Sequence, residues 1–160
     1  MSLVLDGTNG LTYPNSTVQA SAGVVLQVVS AAYNTATNTS SSTYVTTGLT
    51  ASITPKFSTS KILILVSIPF TGNGTGFQNT ITLYRNSTNI ALTGSGQQGF
   101  GQTYTNAGSI QSIGSITYLD FPATTSSTSY TVYFAVSNGT TAQVFNNYLT
   151  GTITLMEIAA

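Results

Sequence analysis

The chain is 160 residues long with 41% hydrophobic residues, and its six formal charges, Lys56, Lys61, Arg85, Asp6, Asp120 and Glu157, cancel at pH 7. Histidine, cysteine and tryptophan are absent, which removes imidazole relays, thiolate nucleophiles, disulfides and thiolate metal sites from the available chemistry. Three scattered cations also give no footprint for a phosphate backbone and no polybasic stretch for an anionic membrane, so nucleic acid is not an expected partner.

In chain order, residues 1–22 come first as a turn-rich arm, with Asp6-Gly7-Thr8-Asn9-Gly10 and Pro14-Asn15-Ser16-Thr17 separating a few apolar residues. Asp6 interrupts the apolar run that a signal peptide needs, so export by an N-terminal signal is not expected. Such an arm is either a frayed end or a segment that orders by docking on a partner; in the second case Leu3, Leu5, Leu11, Tyr13 and Pro14 are the anchors. From residue 23 onward, Val, Ile, Thr, Tyr and Phe recur in short runs punctuated by Gly, Asn, Ser and Pro, and helical periodicity is missing. The runs predict strands over 23–33, 42–48, 50–54, 61–70, 78–85, 90–94, 111–120, 129–137, 141–146 and 149–158.

Ile62-Leu63-Ile64-Leu65-Val66 is apolar on both faces. This predicts a central strand with the opposing sheet on one side and a loop or a neighbouring subunit on the other; the run is too short to span a bilayer. Tyr130, Val132, Phe134 and Val136 alternate with more polar residues, the period-2 pattern of a half-buried strand. The Ser137-Asn138-Gly139-Thr140 segment suits a tight hairpin, which predicts that the strands on either side of it pair. The reading is an all-β protein, an antiparallel β-sandwich of jelly-roll type over 23–160 with an extended N-terminal arm over 1–22. Thirty Thr, 20 Ser, 12 Asn and 8 Gln supply the hydration that charge does not, and Thr favours strands as well.

Two glycine-rich stretches stand out. Gly72-Asn73-Gly74-Thr75-Gly76 lacks the lysine and following helix of a phosphate-cradling loop and reads as a β-turn region. In Gly94 to Gln102, glycines alternate with Gln97, Gln98 and Phe100, and Tyr104 follows; amides beside aromatic faces are the chemistry of sugar binding, so these four residues form a candidate receptor-facing loop, the alternative being a long loop without a ligand. Five N-x-[S/T] sequons, at Asn15, Asn38, Asn73, Asn86 and Asn138, are expected by chance in so Ser- and Thr-rich a chain. Asp120, beside Phe121-Pro122, reads as a strand-end turn former, and Glu157 as a residue at the solvent edge of the last strand. No catalytic residue, metal site or cofactor is expected.

The opening Leu5-Asp6-Gly7-Thr8-Asn9-Gly10 with Thr12-Tyr13-Pro14-Asn15-Ser16-Thr17-Val18-Gln19 resembles segments that recur in fibre and virion-surface proteins of tailed phages, notably marine and cyanobacterial ones. Val25 to Val29, Gly48 to Pro55, Ser60 to Val66 and the ending Thr152 to Ala160 extend the resemblance through most of the chain, while Ser16 departs from it, standing where the pattern usually has Gly. The resemblance implies a non-enzymatic virion structural protein, commonly trimeric, made in the host cytoplasm and carried on the virion surface. It further implies a fibre or knob attached to capsid or tail proteins by the arm, with loops turned toward a host-surface glycan; the alternative is a capsid decoration protein stabilising the head lattice. No membrane insertion and no catalytic residue come with it.

Overall fold

The structure is a computed structural model that describes residues 4–6, 10–12, 18–19, 24–73, 76–91, 99–106, 108–137, 141–146 and 148–160, with only the backbone described for 4–6, 10–12, 18–19, Asn73 and Phe77. Its strands are β1 (Val4–Asp6), β2 (Gly10–Thr12), β3 (Val18–Gln19), β4 (Val25–Tyr33), β5 (Thr37–Thr39), β6 (Val45–Ile53), β7 (Lys61–Asn73), β8 (Phe77–Arg85), β9 (Thr88–Asn89), β10 (Gly101–Thr105), β11 (Ser109–Asp120), β12 (Thr128–Ser137), β13 (Thr141–Val144) and β14 (Gly151–Ile158). Every pairing among them is antiparallel.

One sheet runs β4-β14-β7-β11, with the short β13 and β5 continuing from the far end of β7, and the other runs β10-β8-β12-β6, with β9 on β8. Taking the eight long strands in chain order, first pairs with last, second with seventh, third with sixth and fourth with fifth. That is one long antiparallel hairpin rolled until β14 meets β7 and β12 meets β8, the jelly roll of two four-stranded sheets. The all-β sandwich expected from the strand pattern is therefore the observed fold.

Alternation does the local work. Ile62, Ile64, Val66 and Ile68 from β7, Tyr130, Val132, Phe134 and Val136 from β12, and Ile153 and Leu155 from β14 all point between the sheets and are at most 5% exposed. They close one continuous core with Leu49, Ile53, Leu83 and Ile116. Phe145 is part of that core, its ring edge-on to Tyr33 at 5.3 Å.

Several expectations need correction. The segments 42–48 and 50–54 are one strand, β6, whose ladder with β12 slips between Thr131 and Tyr133. Gly48 sits in that irregularity at φ +87°, and the Thr47 hydroxyl donates to Val132 O at 2.8 Å, so a bulge bends the strand without ending it. Of the predicted strand over 90–94, Ile90 and Ala91 lie in a turn after β9 and residues 92–94 lie outside the described residues, while Gly101–Thr105, read as loop, pairs with β8 as an edge strand. The hairpin across Ser137–Thr140 does not form a ladder: β12 lies in one sheet and β13 in the other, paired with β5 and β7. Val144 and Ala142 are fully buried there, and moving into the sheet opposite β12 is what covers them. Within the arm, β1, β2 and β3 form a small antiparallel sheet of their own, so this segment is not simply extended.

Candidate functional site

The two carboxylates of the sandwich lie in one inward-facing row: Gln27, Glu157, Ile62 and Asp120 are successive neighbours across β4, β14, β7 and β11. Both are buried, at 0% and 5% exposure, and both are committed to structural partners. Arg85 Nη1 donates to both Asp120 oxygens at 2.9 and 3.0 Å, and the Tyr130 hydroxyl donates to Oδ2 at 2.6 Å. Burial first, then the Asp120 carboxylate, pushes the Tyr130 phenol well above its ordinary range.

Glu157 is corrected from a solvent-edge residue to a buried anchor. It follows Gly151, Ile153 and Leu155 at the same inward parity of β14, which is the signal that would have placed it. Its Oε1 accepts from the backbone N–H of Lys56 at 2.7 Å and of Phe57 at 3.4 Å, and its Oε2 from the Gln27 amide. Burial pushes this carboxyl up, but the donors of Gln27, Lys56 and Phe57 win, holding it below the usual carboxylate range. The Lys56 ammonium caps Leu26 O at 3.2 Å, so the turn after β6 is tied to the sheet from two sides. Among the described residues no three metal-ligating carboxylates, histidines or cysteines come together.

What the fold leaves open is surface. On the outer face of the first sheet, Val28, Met156, Leu63 and Leu119 stand side by side across four adjacent strands, by the register of β4, β14, β7 and β11. Val28 is 55% and Leu119 38% exposed. The next row toward the middle of the sheet is Ser30, Thr154, Leu65 and Thr117, and beyond it come Ala32, Thr152, Ser67 and Ser115, so hydroxyls and methyls replace charge. A further apolar spot at the β11 edge has Ile113 at 71% exposure beside Pro69 and Leu149. Lys61, which belongs to this face, has its ammonium over the exposed Phe121 ring at 5.4 Å. The Ile62–Val66 strand thus has its opposing sheet on the inner face, as expected, while Leu63 and Leu65 are only half-covered by this chain. The outer face of the second sheet is different, an aromatic and hydroxyl surface in which Tyr84 stacks on Tyr133 at 4.0 Å and meets Tyr44 edge-on. Burial, then the Tyr84 charge, pushes the Tyr44 phenol up to about 12.

The residues named from the sequence divide as follows. Leu3, Tyr13, Pro14, Gln97 and Gln98 lie outside the described residues, and Leu5 and Leu11 are direct partners in the β1–β2 ladder. Phe100 packs onto the core with its ring edge-on to Tyr118 at 5.0 Å, and its N–H donates to Ile81 O. Tyr104 is 57% exposed on β10, with its hydroxyl on Asn106.

Fold and surface together define a jelly roll with one partly apolar sheet face on which Lys61 is the single charged side chain among the described residues. No family model and no curated protein matches the chain. Among solved structures it is similar to a chain of the infectious bursal disease virus Gx strain, at 14% identity and a TM-score of 0.46, covering 98% of this chain and 42% of that one. A chain of the Gt strain of the same virus gives 12%, 0.41, 100% and 42%. This protein therefore spans less than half the length of those chains.

Proposed function

We propose that this protein is a non-enzymatic structural component of a tailed-bacteriophage virion, a trimeric fibre or knob module that residues 1–22 attach to capsid or tail proteins and whose loops meet the host surface. The observation that carries the reading is the apolar row Val28–Met156–Leu63–Leu119 on a sheet face whose only charged side chain among the described residues is Lys61. A free monomer leaves that row in water. Four strands ~4.8 Å apart and about nine residues long present roughly 600 Å², against ~800 Å² per partner in a standard interface. The neighbouring Phe121 and Leu149, both exposed, are placed to supply the remainder. A face whose one ammonium, that of Lys61, already sits over the Phe121 ring has little charge to desolvate on packing against a sister copy, so most of the apolar gain of about 25 cal/mol per Å² is kept. The resemblance of the opening segment to phage fibre proteins supports the virion context, and the commitment of both sandwich carboxylates to structural bonds supports a role without catalysis.

Immunogold labelling of purified particles tests the reading. Label at the tail or vertices is the expected result. Label spread over the head assigns the chain to capsid decoration instead, and particles without label refute a virion role altogether.

A further inference from the structure

Beyond the sheet faces, the described residues line a cavity between the sheets. Where the edge strands β10 and β11 face each other across an open side of the sandwich, a cleft of about 230 Å³ runs in between the sheets. Gly101 and Thr103 form one wall, Ser112 and Gly114 the other, and Phe70, Ile81 and Asn79 lie deepest. Asn79 shares the inward parity of Ile81 and Leu83, so the chain directs an amide where strand alternation calls for an aliphatic side chain. It is 1% exposed, and neither its Oδ1 nor its Nδ2 has a hydrogen-bond partner. A buried amide left without partners is destabilising, and native structures keep such groups where something else satisfies them.

We infer that this cleft binds a single neutral sugar ring, with Asn79 as its buried anchor. The lining holds no ionisable side chain, which selects an uncharged ligand. An amide presents a donor and an acceptor side by side, the complement of two vicinal hydroxyls, and the hydroxyls of Thr103 and Ser112 add groups that both donate and accept. Phe70 and Ile81 supply the apolar surface that the C–H side of a pyranose needs. The volume lies below the ~300–1,000 Å³ of drug-sized sites, which limits the ligand to one ring or the terminal unit of a glycan. Gln102 stands at the rim, its amide held by the Thr80 hydroxyl at 3.3 Å. Gly114 cannot be larger without filling the cleft floor, because a Cβ there falls 2.6 Å from Ile81 Cδ1 and 3.2 Å from Phe70 Cε1. Strand alternation thus sets a polar group and two glycines where a sandwich of this size would otherwise close its core.

This inference deepens the attachment part of the proposed function by naming the ligand class, but it is read on the isolated chain whatever its assembly or virion location. The test is saturation-transfer and amide-shift NMR on the full chain with a panel of free hexoses and N-acetylhexosamines at millimolar concentration. Expected are transfer from at least one sugar and shifts confined to Asn79, Gly101, Thr103 and Ser112. Asn79→Leu should weaken binding about tenfold or more while keeping the circular dichroism of the wild type. Thr103→Val, which keeps shape and strand propensity, should weaken it less; it serves as the second probe if Asn79→Leu does not fold. No transfer from any sugar in the panel, shifts located elsewhere, or binding unchanged in both variants overturns the inference. So does a crystal soaked in the sugars whose cleft holds only an ordered water on Asn79.

Discussion

Glu157→Ala removes the one anion that ties the turn at Lys56 and Phe57 to the last strand. Three donors lose their acceptor: Lys56 N–H at 2.7 Å, the Gln27 amide, and Phe57 N–H at a weaker 3.4 Å. A hydrogen bond to a charged group contributes ~1.5–3 kcal/mol; counting two full bonds at the low end gives a loss of about 3 kcal/mol. For a domain of this length that lowers Tm by roughly 6–12 °C. Glu157→Gln keeps one acceptor oxygen but turns an NH₂ toward the donors, so its loss should be smaller and still measurable. The pH arm has a fixed sign. The folded carboxyl is held below its ordinary value near 4.5, so its contribution is fully present above that value and disappears as pH falls through the lower folded one. Urea unfolding at neutral and acid pH checks both arms. Glu157→Ala within 1 kcal/mol of wild type (about the weight of one ordinary hydrogen bond), or an acid loss in Glu157→Gln as large as that of the wild type, would refute the reasoning.

Asp120→Ala should cost about 3 kcal/mol, the low end for breaking a buried pair because Arg85 is 31% exposed, while Tyr130→Phe should cost only ~1 kcal/mol; equal losses in urea titrations would contradict the network. Asn79→Leu should leave stability unchanged or raise it by ~1–2 kcal/mol, since it removes two unpartnered amide atoms; a clear destabilisation of the ligand-free chain would mean that the amide already has a partner. Gly48→Ala combines a left-handed φ of +87° with a Cβ 2.7 Å from Tyr33 Cζ. It should lower stability by ~2–3 kcal/mol in a thermal melt and disturb the Tyr33–Phe145 ring contact; an unaltered melt would show that the bulge relaxes freely.

Most of the strands were legible because alternation survives in Tyr130 to Val136 and because the Ile62 to Val66 run marks a central strand. Strand partners were not, for a physical reason. In a jelly roll only the middle hairpin, β8 to β10, joins long strands that are neighbours in both chain and sheet. A local turn signal such as Asn138-Gly139 therefore misleads: Val144 and Ala142 gain more by burial in the opposite sheet than from a ladder with β12. β10 was hidden because its Gly and Gln residues carry weak strand propensity, and its order comes from the β8 edge. Glu157 and Asn79 were legible in parity and were missed by reading residue type first. Glu157 follows Ile153 and Leu155 and Asn79 precedes Ile81 and Leu83 at inward positions, and there the pattern outweighs the preference of a polar side chain for water.

The proposed assembly buries the partly apolar outer face of the first sheet against sister copies. Light scattering on the purified chain across the micromolar range tests it most directly. Three times the 16.6 kDa chain mass is expected for the wild type, and a single-chain mass for a folded Val28→Lys, Leu119→Lys double variant. A wild type that stays at 16.6 kDa throughout, or a double variant that assembles as the wild type does, would contradict it.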